Sequence, residues 1–313
     1  MIGRSRAFKD LIAVLAKAAR YDANVLIEGE TGTGKELAAR AIHYDGPRRA
    51  HPFLPVNCGA LPDTLIENEL FGHRRGAYTS ADSDQCGLIA AAHGGTLFLD
   101  EVDSLSVKGQ VTLLRFLEDR HYRPVGSTSE RAADVRVIAA CNKDLTALAR
   151  TDRFRADLFY RLCVIPIRVP PLRERAGDVL LLAEQFIRAA AARFNKPVVG
   201  LSPATEAWIT QYHWPGNIRE LENFICQAFL MYDAAAIDVP APPTAQPTSA
   251  APASLNYRSA KEEAIAEFER RFLRKAIERA AGNITEAARL IGTERRHLGR
   301  LLKKYDIARP LAS

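Results

Sequence analysis

Cysteine is scarce in this chain. Cys58, Cys86, Cys141, Cys163 and Cys226 are odd in number and form no CxxC pair. That pattern excludes a disulfide framework and a thiolate zinc site, and it reads as isolated thiols in the reducing cytoplasm. No apolar run approaches the roughly 20 residues of a membrane span, and the first residues lack the apolar core of a signal peptide. Residues 8–20, FKDLIAVLAKAAR, instead carry apolar side chains at helical spacing with Lys and Arg opposite, an amphipathic helix. An acidic surplus is missing as well. The formal net charge is +6, and from Lys261 onward Lys and Arg outnumber Asp and Glu by 13 to 8. Almost all of the positive excess therefore sits near the C-terminus, where it suits a polyanion.

What is present divides along the chain. The 313 residues suffice for two or three domains. To about residue 170, helical patterns alternate with the apolar runs VLIEG (25–29), FLPVN (53–57), TLFLD (96–100), VRVIAACN (135–142) and VIPIRV (164–169). Short apolar runs separated by helices predict an α/β fold with a parallel sheet buried on both faces. From 178 to 232 the pattern is wholly helical. Residues 233–258 are rich in Ala, Pro, Thr and Ser with little apolar bulk, the composition of a linker. A last helical module runs from about 259 to the end.

GETGTGKE (29–36) follows the strand VLIE and opens the helix ELAARAIHY. Gly29, Gly32 and Gly34 let the backbone wrap closely, so that the N–H groups of Glu30, Thr31, Thr33 and their neighbours face phosphate oxygens. Lys35 adds a point charge for the β- and γ-phosphates, and the helix N-terminus adds partial positive charge. Glu36 stands where a Ser or Thr is usual, so no hydroxyl is available there for Mg2+. Downstream, the apolar strand TLFLD ends in Asp100–Glu101. Asp100 is placed to hold Mg2+ and Glu101 to polarise a water, although Asp100, Asp103 or Ser104 could also cap the following helix. Asn142, ending a third strand, either orients the attacking water or occupies a turn. Arg155 and Arg161, six apart, do not share one helical face, and a guanidinium reaching a phosphate in trans accounts for at least one of them.

AGNITEAARLIGTERRHLGRLLKKY (281–305) reads as helix–turn–helix. Asn283 or Thr285 caps the first helix, Ala287 and Ala288 permit close crossing, Gly292 makes the turn, and Thr293 caps the second helix. Leu298, Leu301 and Leu302 then face inward, leaving Arg295, Arg296, His297, Arg300, Lys303 and Lys304 for double-stranded DNA. Gly299 inside that helix costs about 1 kcal/mol relative to Ala, and close approach to DNA would explain it.

The motifs GETGTGKE, ELFGH (69–73), GGTLFLDE (94–101), LLRFLE (113–118), FRADLFYRL (154–162), PPLRER (170–175) and WPGNIRELEN (214–223) occur in one order and spacing over nearly the whole chain. Together they resemble the AAA+ domain of bacterial enhancer-binding proteins, the activators of sigma-54 RNA polymerase. The resemblance implies an AAA+ P-loop ATPase with an α/β subdomain at 1–171 and an all-α lid at 172–232. A linker at 233–258 and a Fis-type helix–turn–helix domain at 259–313 would follow. It implies that the P-loop binds ATP with Mg2+, that Asp100 and Glu101 are the Walker B pair, and that Asn57 restrains Glu101. Asn142 then sits in sensor I, Arg155 and Arg161 are arginine fingers, and Arg219 is sensor II. The segment GAYTSA, Gly76, Ala77, Tyr78, Thr79, Ser80 and Ala81, occupies the place of the family's GAFTGA loop, which grips sigma-54. Tyr78 replaces Phe and Ser80 replaces Gly in it. Further implications are a homo-oligomer, from dimer to hexameric ring, and dimerisation through residues 262–280 on a near-palindromic site. No amino-terminal sensory domain is expected in this chain, so that control comes from a separate regulatory protein or from a longer chain. A DNA-binding regulator independent of sigma-54, with nucleotide controlling assembly, fits the same residues.

Overall fold

A computed structural model describes residues 1–60, 66–78, 81–231 and 236–240. Toward the C-terminus it describes 269, 273, 277, 280, 283–290, 292–293 and 295–305. Thr79, Ser80, most of the expected linker and most of the 262–280 helix lie outside the described residues. The chain divides into two compact units, Met1–Ala245 and Gln246–Ser313.

The first unit is built on a five-stranded parallel sheet. Its strands are β1 Val25–Glu28, β2 Phe53–Asn57, β3 Thr96–Asp100, β4 Arg136–Cys141 and β5 Ile165–Arg168. They lie in the order β2–β3–β4–β1–β5, all parallel. Both faces are covered because alternate residues of the same strand feed different cores. Val25, Ile27, Ile138 and Ala140 pack with α1 (Arg6–Ala19) and α2 (Lys35–Tyr44). Leu26, Leu97, Val137 and Ala139 pack on the other side. Covering them are α3 (Ile66–Phe71), α4 (Leu88–Ala91), α5 (Val107–Asp119), α6 (Leu145–Arg150) and α7 (Ala156–Leu162). Because all five strands are parallel, their carboxyl ends, from Glu28 to Arg168, lie at one edge, where open α/β sheets place ligands.

The lid is formed by α8 (Asp178–Phe194), α9 (Pro203–Gln211) and α10 (Asn217–Met231) around fully buried Trp214, Leu221, Ile225 and Phe229. Ser202 caps α9 by accepting from Thr205 N, with Pro203 at the first helical position. It is not purely helical. Gly200–Leu201 pairs in parallel with Ala236–Ile237, Ile237 is fully buried in the lid core, and Trp208 Nε1 donates to Val239 O at 2.8 Å. The segment read as linker from 233 therefore contributes Ala236–Val239 to the lid. One apolar side chain between small residues suffices when a Trp and a strand edge receive it, which composition does not register.

In the second unit, α11 (Ile284–Leu290) and α12 (Arg295–Lys304) are joined through Gly292 at φ 66. Asn283, rather than Thr285, supplies the first cap: its Oδ1 accepts from Thr285 N at 3.0 Å and Glu286 N at 3.3 Å. Ala287, Ala288, Leu298 and Leu302 are buried together with Leu273 and Ile277. Among the described residues no helix is long and apolar enough to cross a membrane.

Candidate functional site

The loop between β1 and α2 wraps at two left-handed glycines, Gly32 at φ 77 and Gly34 at φ 92. Gly34 is the N-cap of α2 and offers no side-chain cap, which leaves the first-turn amides for an external acceptor. Thr33 is buried and ties the loop to itself, its hydroxyl donating to Glu30 O at 2.8 Å. Lys35 is buried too. Its Nζ donates to Gly29 O at 2.9 Å, Glu30 O at 3.1 Å and Asn142 Oδ1 at 2.6 Å. Burial draws the Lys35 pKa below its ordinary value, with the carboxylates of Asp100, Asp103 and Glu101 acting in the opposite sense. Glu36 points away, its Oε1 taken by Arg40 at 2.7 Å.

Asp100 ends β3, where burial raises its pKa against the pull of a hydrogen bond from Glu101 N at 2.9 Å and of Lys35. Glu101 sits at φ 54, a left-handed backbone that non-glycine residues adopt at a cost and that turns its carboxylate out of the strand line. Asn142 then joins the parts. Its Oδ1 accepts from Lys35 Nζ, its Nδ2 donates to Glu101 Oε1 at 3.5 Å, and its N–H donates to Asp103 Oδ1 at 3.3 Å. The helix after β3 is capped by neither Asp100, Asp103 nor Ser104: Ser106 caps α5 through Gly109 N. Asn57 lies beside Asp100 in register, but its Oδ1 accepts from Gly59 N at 2.8 Å and makes no hydrogen bond to Glu101.

Other expected residues lie apart from this cluster. Arg155 pairs with Asp157 at 2.7 Å and Arg161 with Glu118 at 4.0 Å. Neither bonds to Lys35, Asp100 or Glu101. Arg219 is exposed and makes no hydrogen bond or ion pair among the described residues, although its Cβ lies 3.1 Å from where a Cβ on Gly32 would stand. Gly76, Ala77, Tyr78 and Ala81, the described residues of GAYTSA, lie between two antiparallel strands, Gly72–His73 and Gln85–Cys86. Gly76 N donates to Ala81 O at 2.9 Å, Arg74 pairs with Asp84, and half-exposed Tyr78 stacks obliquely on His73 with ring centroids 5.0 Å apart. Hydrogen bonds from Arg75 N–H and Arg74 hold the Asp84 carboxyl below its ordinary pKa. On α12, Arg295, Arg296, His297, Arg300 and Lys304 are exposed, while Leu298 and Leu302 face inward. A Cβ added at Gly299 would meet no side chain or neighbouring element within 4 Å, so packing does not require a glycine there.

Residues absent from the sequence-based set also reach the cradle. Arg173 bonds Glu30 through two nitrogens at 2.6 and 2.7 Å, and buried Asn217 bonds Glu30 and Thr31 O. The Gly216–Asn217 dipeptide before a helix was the available signal.

Comparisons with known proteins agree with this fold. The Sigma-54 interaction domain matches residues 1–168, the AAA+ ATPase lid domain 173–253, and the Fis family of bacterial regulatory proteins 264–305. The response regulator protein PilR of Pseudomonas aeruginosa is 42% identical over 98% of this chain and 70% of its own length. The transcriptional regulatory protein ZraR of Escherichia coli is 43% identical over 95% of this chain and 67% of its own. Crystal structures of NtrX from Brucella abortus, in complex with ADP and with ATP, superpose with a TM-score of 0.74 at 32% identity, covering 98% of this chain and 69% of that one. The chain belongs to the sigma-54 interaction family of AAA+ transcriptional regulators, whose role is DNA binding and sigma-54 activation.

Proposed function

We propose that this chain hydrolyses ATP at the β1–α2 cradle and uses the turnover to press the Tyr78 loop on sigma-54 holoenzyme, while α12 holds upstream DNA. The observation that carries the reading is Asn142, which contacts both the phosphate lysine and the Walker B glutamate. Nucleotide fits the cradle: the loop's left-handed glycines, its uncapped helix amides and a lysine hydrogen-bonded only to neutral oxygens form an anion receptor. Mg2+ fits a site of one carboxylate, since it is commonly held by one or two carboxylates with phosphate oxygens and water. Asp100 would hold it; Glu36, engaged by Arg40, would not. Bound MgATP supplies a γ-phosphoryl group whose charge the metal partly neutralises.

The chain's own groups perform the rest. Lys35 exchanges its loop carbonyls for phosphate oxygens. Glu101 accepts a proton at the carboxylate that Asn142 Nδ2 orients. Asn57, paired with Asp100 across the sheet, stands near enough to restrain Glu101 when Gly59 releases it. Arg219, exposed on the lid with its Cβ beside Gly32, would reach the phosphates. Arg155 and Arg161 serve a neighbouring subunit in this reading, a hexameric ring, since both guanidinium groups are exposed and neither bonds to the cradle of its own chain. The DNA site is near-palindromic, read by a dimer of the Fis-type module.

Purified protein is expected to release phosphate from ATP and to open a sigma-54 promoter bearing its upstream site. Glu101→Gln should keep ATP affinity while turnover falls about 100-fold or more. Unchanged turnover in that variant would reassign the proton acceptor. Wild-type turnover without promoter opening would leave a regulator that acts independently of sigma-54.

A further inference from the structure

The lid is bonded into the phosphate loop itself. Asn217 is fully buried at φ 53, a left-handed conformation that Asn tolerates better than most residues. Its amide nitrogen donates to Glu30 Oε2 at 3.2 Å and Thr31 O at 3.0 Å, and its Oδ1 accepts from Leu172 N at 2.8 Å. Next to it, Ile218 N donates to Gly32 O at 3.0 Å. The fit is close: a Cβ on Gly32 would stand 2.2 Å from Gly216 O. Glu30, Thr31 and Gly32, the apex of the cradle, are therefore gripped by three consecutive residues of the lid.

We infer that Asn217 is a positioning residue for nucleotide binding: it shapes the phosphate loop and ties that shape to the lid. The inference rests on the nucleotide reading above. Leu172 begins the segment that leads into the lid, and Asn217 begins α10, so one amide spans hinge, lid and loop. The Arg173–Glu30 pair reinforces the contact, but both side chains are about 40% exposed, 39% and 41%, where an ion pair contributes little. The buried amide is the stronger member, because its removal leaves the buried Leu172 N–H unsatisfied. Arg173 and Asn217 together hold the Glu30 carboxyl at about 2, so the loop carboxylate stays ionised as their acceptor.

Two variants with reversed chemistry test this. Asn217→Asp keeps the size and the acceptor for Leu172 N but sets a second carboxylate against Glu30. Adding Glu30→Gln restores a donor–acceptor pair of unchanged total charge. Binding and release of a fluorescent ADP analogue, KM and kcat for ATP, and thermal midpoint are measured on the full chain. Asn217→Asp is expected to weaken ADP binding about tenfold, the worth of one buried hydrogen bond turned repulsive. Release should quicken and KM should move more than kcat. The double variant should recover affinity. Should Asn217→Asp not fold, Asn217→Gly, which adopts positive φ freely, is expected to show the same loss of affinity. Wild-type affinity in the folded single variant, or a double variant no better than the single, overturns the inference. Failure of the wild-type protein to bind the analogue overturns the nucleotide reading instead, and this inference with it.

Discussion

Gly32 meets two demands that no other residue satisfies together. Its φ of 77 lies where side chains are strained, and a Cβ there would collide with Gly216 O, a backbone atom that cannot swing aside. Gly34 carries the first demand without the second: at φ 92, an added Cβ would find only Leu37 Cδ1 at 3.9 Å. Gly32→Ala should therefore weaken ADP-analogue binding by more than Gly34→Ala, each strained position costing about 1–3 kcal/mol before any collision. Equal affinities in the two variants would mean that lid contact does not shape the loop. At this scale GETGTGKE announced the glycines and the lysine. Asn142 was legible as a site residue, but its bond to Lys35 was not, nor were Arg173 and Asn217 as partners of Glu30, because all three lie more than 100 residues away and only the sheet and lid bring them in.

Between elements, one buried carboxylate joins the start of α1 to the start of α8. Asp178 is fully buried and accepts from Arg4 N at 2.6 Å, Ser5 N at 3.0 Å, Ser5 Oγ at 2.8 Å and Arg175 Nε at 2.9 Å. Arg175, equally buried, also bonds Ile2 O and lies over the Phe8 ring. Burial alone would raise the Asp178 pKa, but the bonds from Arg4, Ser5 and Arg175 outweigh it and hold it below the ordinary carboxylate value. A lowered folded-state pKa contributes stability that is complete above the unfolded value, about 3.9, and is lost as pH falls through the folded value. Urea unfolding of the wild type should thus show midpoints falling steeply below about pH 4. Asp178→Asn should lose that component and be destabilised at neutral pH by about 3 kcal/mol or more, since Arg175 is left buried without its counter-charge. A neutral-pH midpoint equal to wild type would show that this joint is not structural. The helices themselves were legible in apolar spacing; this joint between them was not, because PPLRERAGD reads as surface charge until it is packed.

At the scale of the whole molecule, two units carry separate chemistry. The candidate phosphate site lies within Met1–Ala245, and the exposed cations of α12 lie within Gln246–Ser313. Deleting residues 259–313 is expected to remove salt-sensitive DNA binding and leave nucleotide binding unchanged, read by titration with duplex DNA at several salt concentrations and by ADP-analogue affinity. DNA affinity that survives the deletion would move the DNA surface to the first unit.

The five parallel strands, the three lid helices and the helix–turn–helix pair were determined by the sequence alone, because apolar periodicity and punctuation by Gly, Pro and capping residues act over a few neighbours. Strand order, the bridging of Lys35 to Glu101 by Asn142, the recruitment of Ile237 into the lid and the grip of Asn217 on Glu30 were decided only by tertiary structure. Each joins residues far apart along the chain, and a buried hydrogen bond or an apolar contact depends on distance in space, which no local pattern encodes.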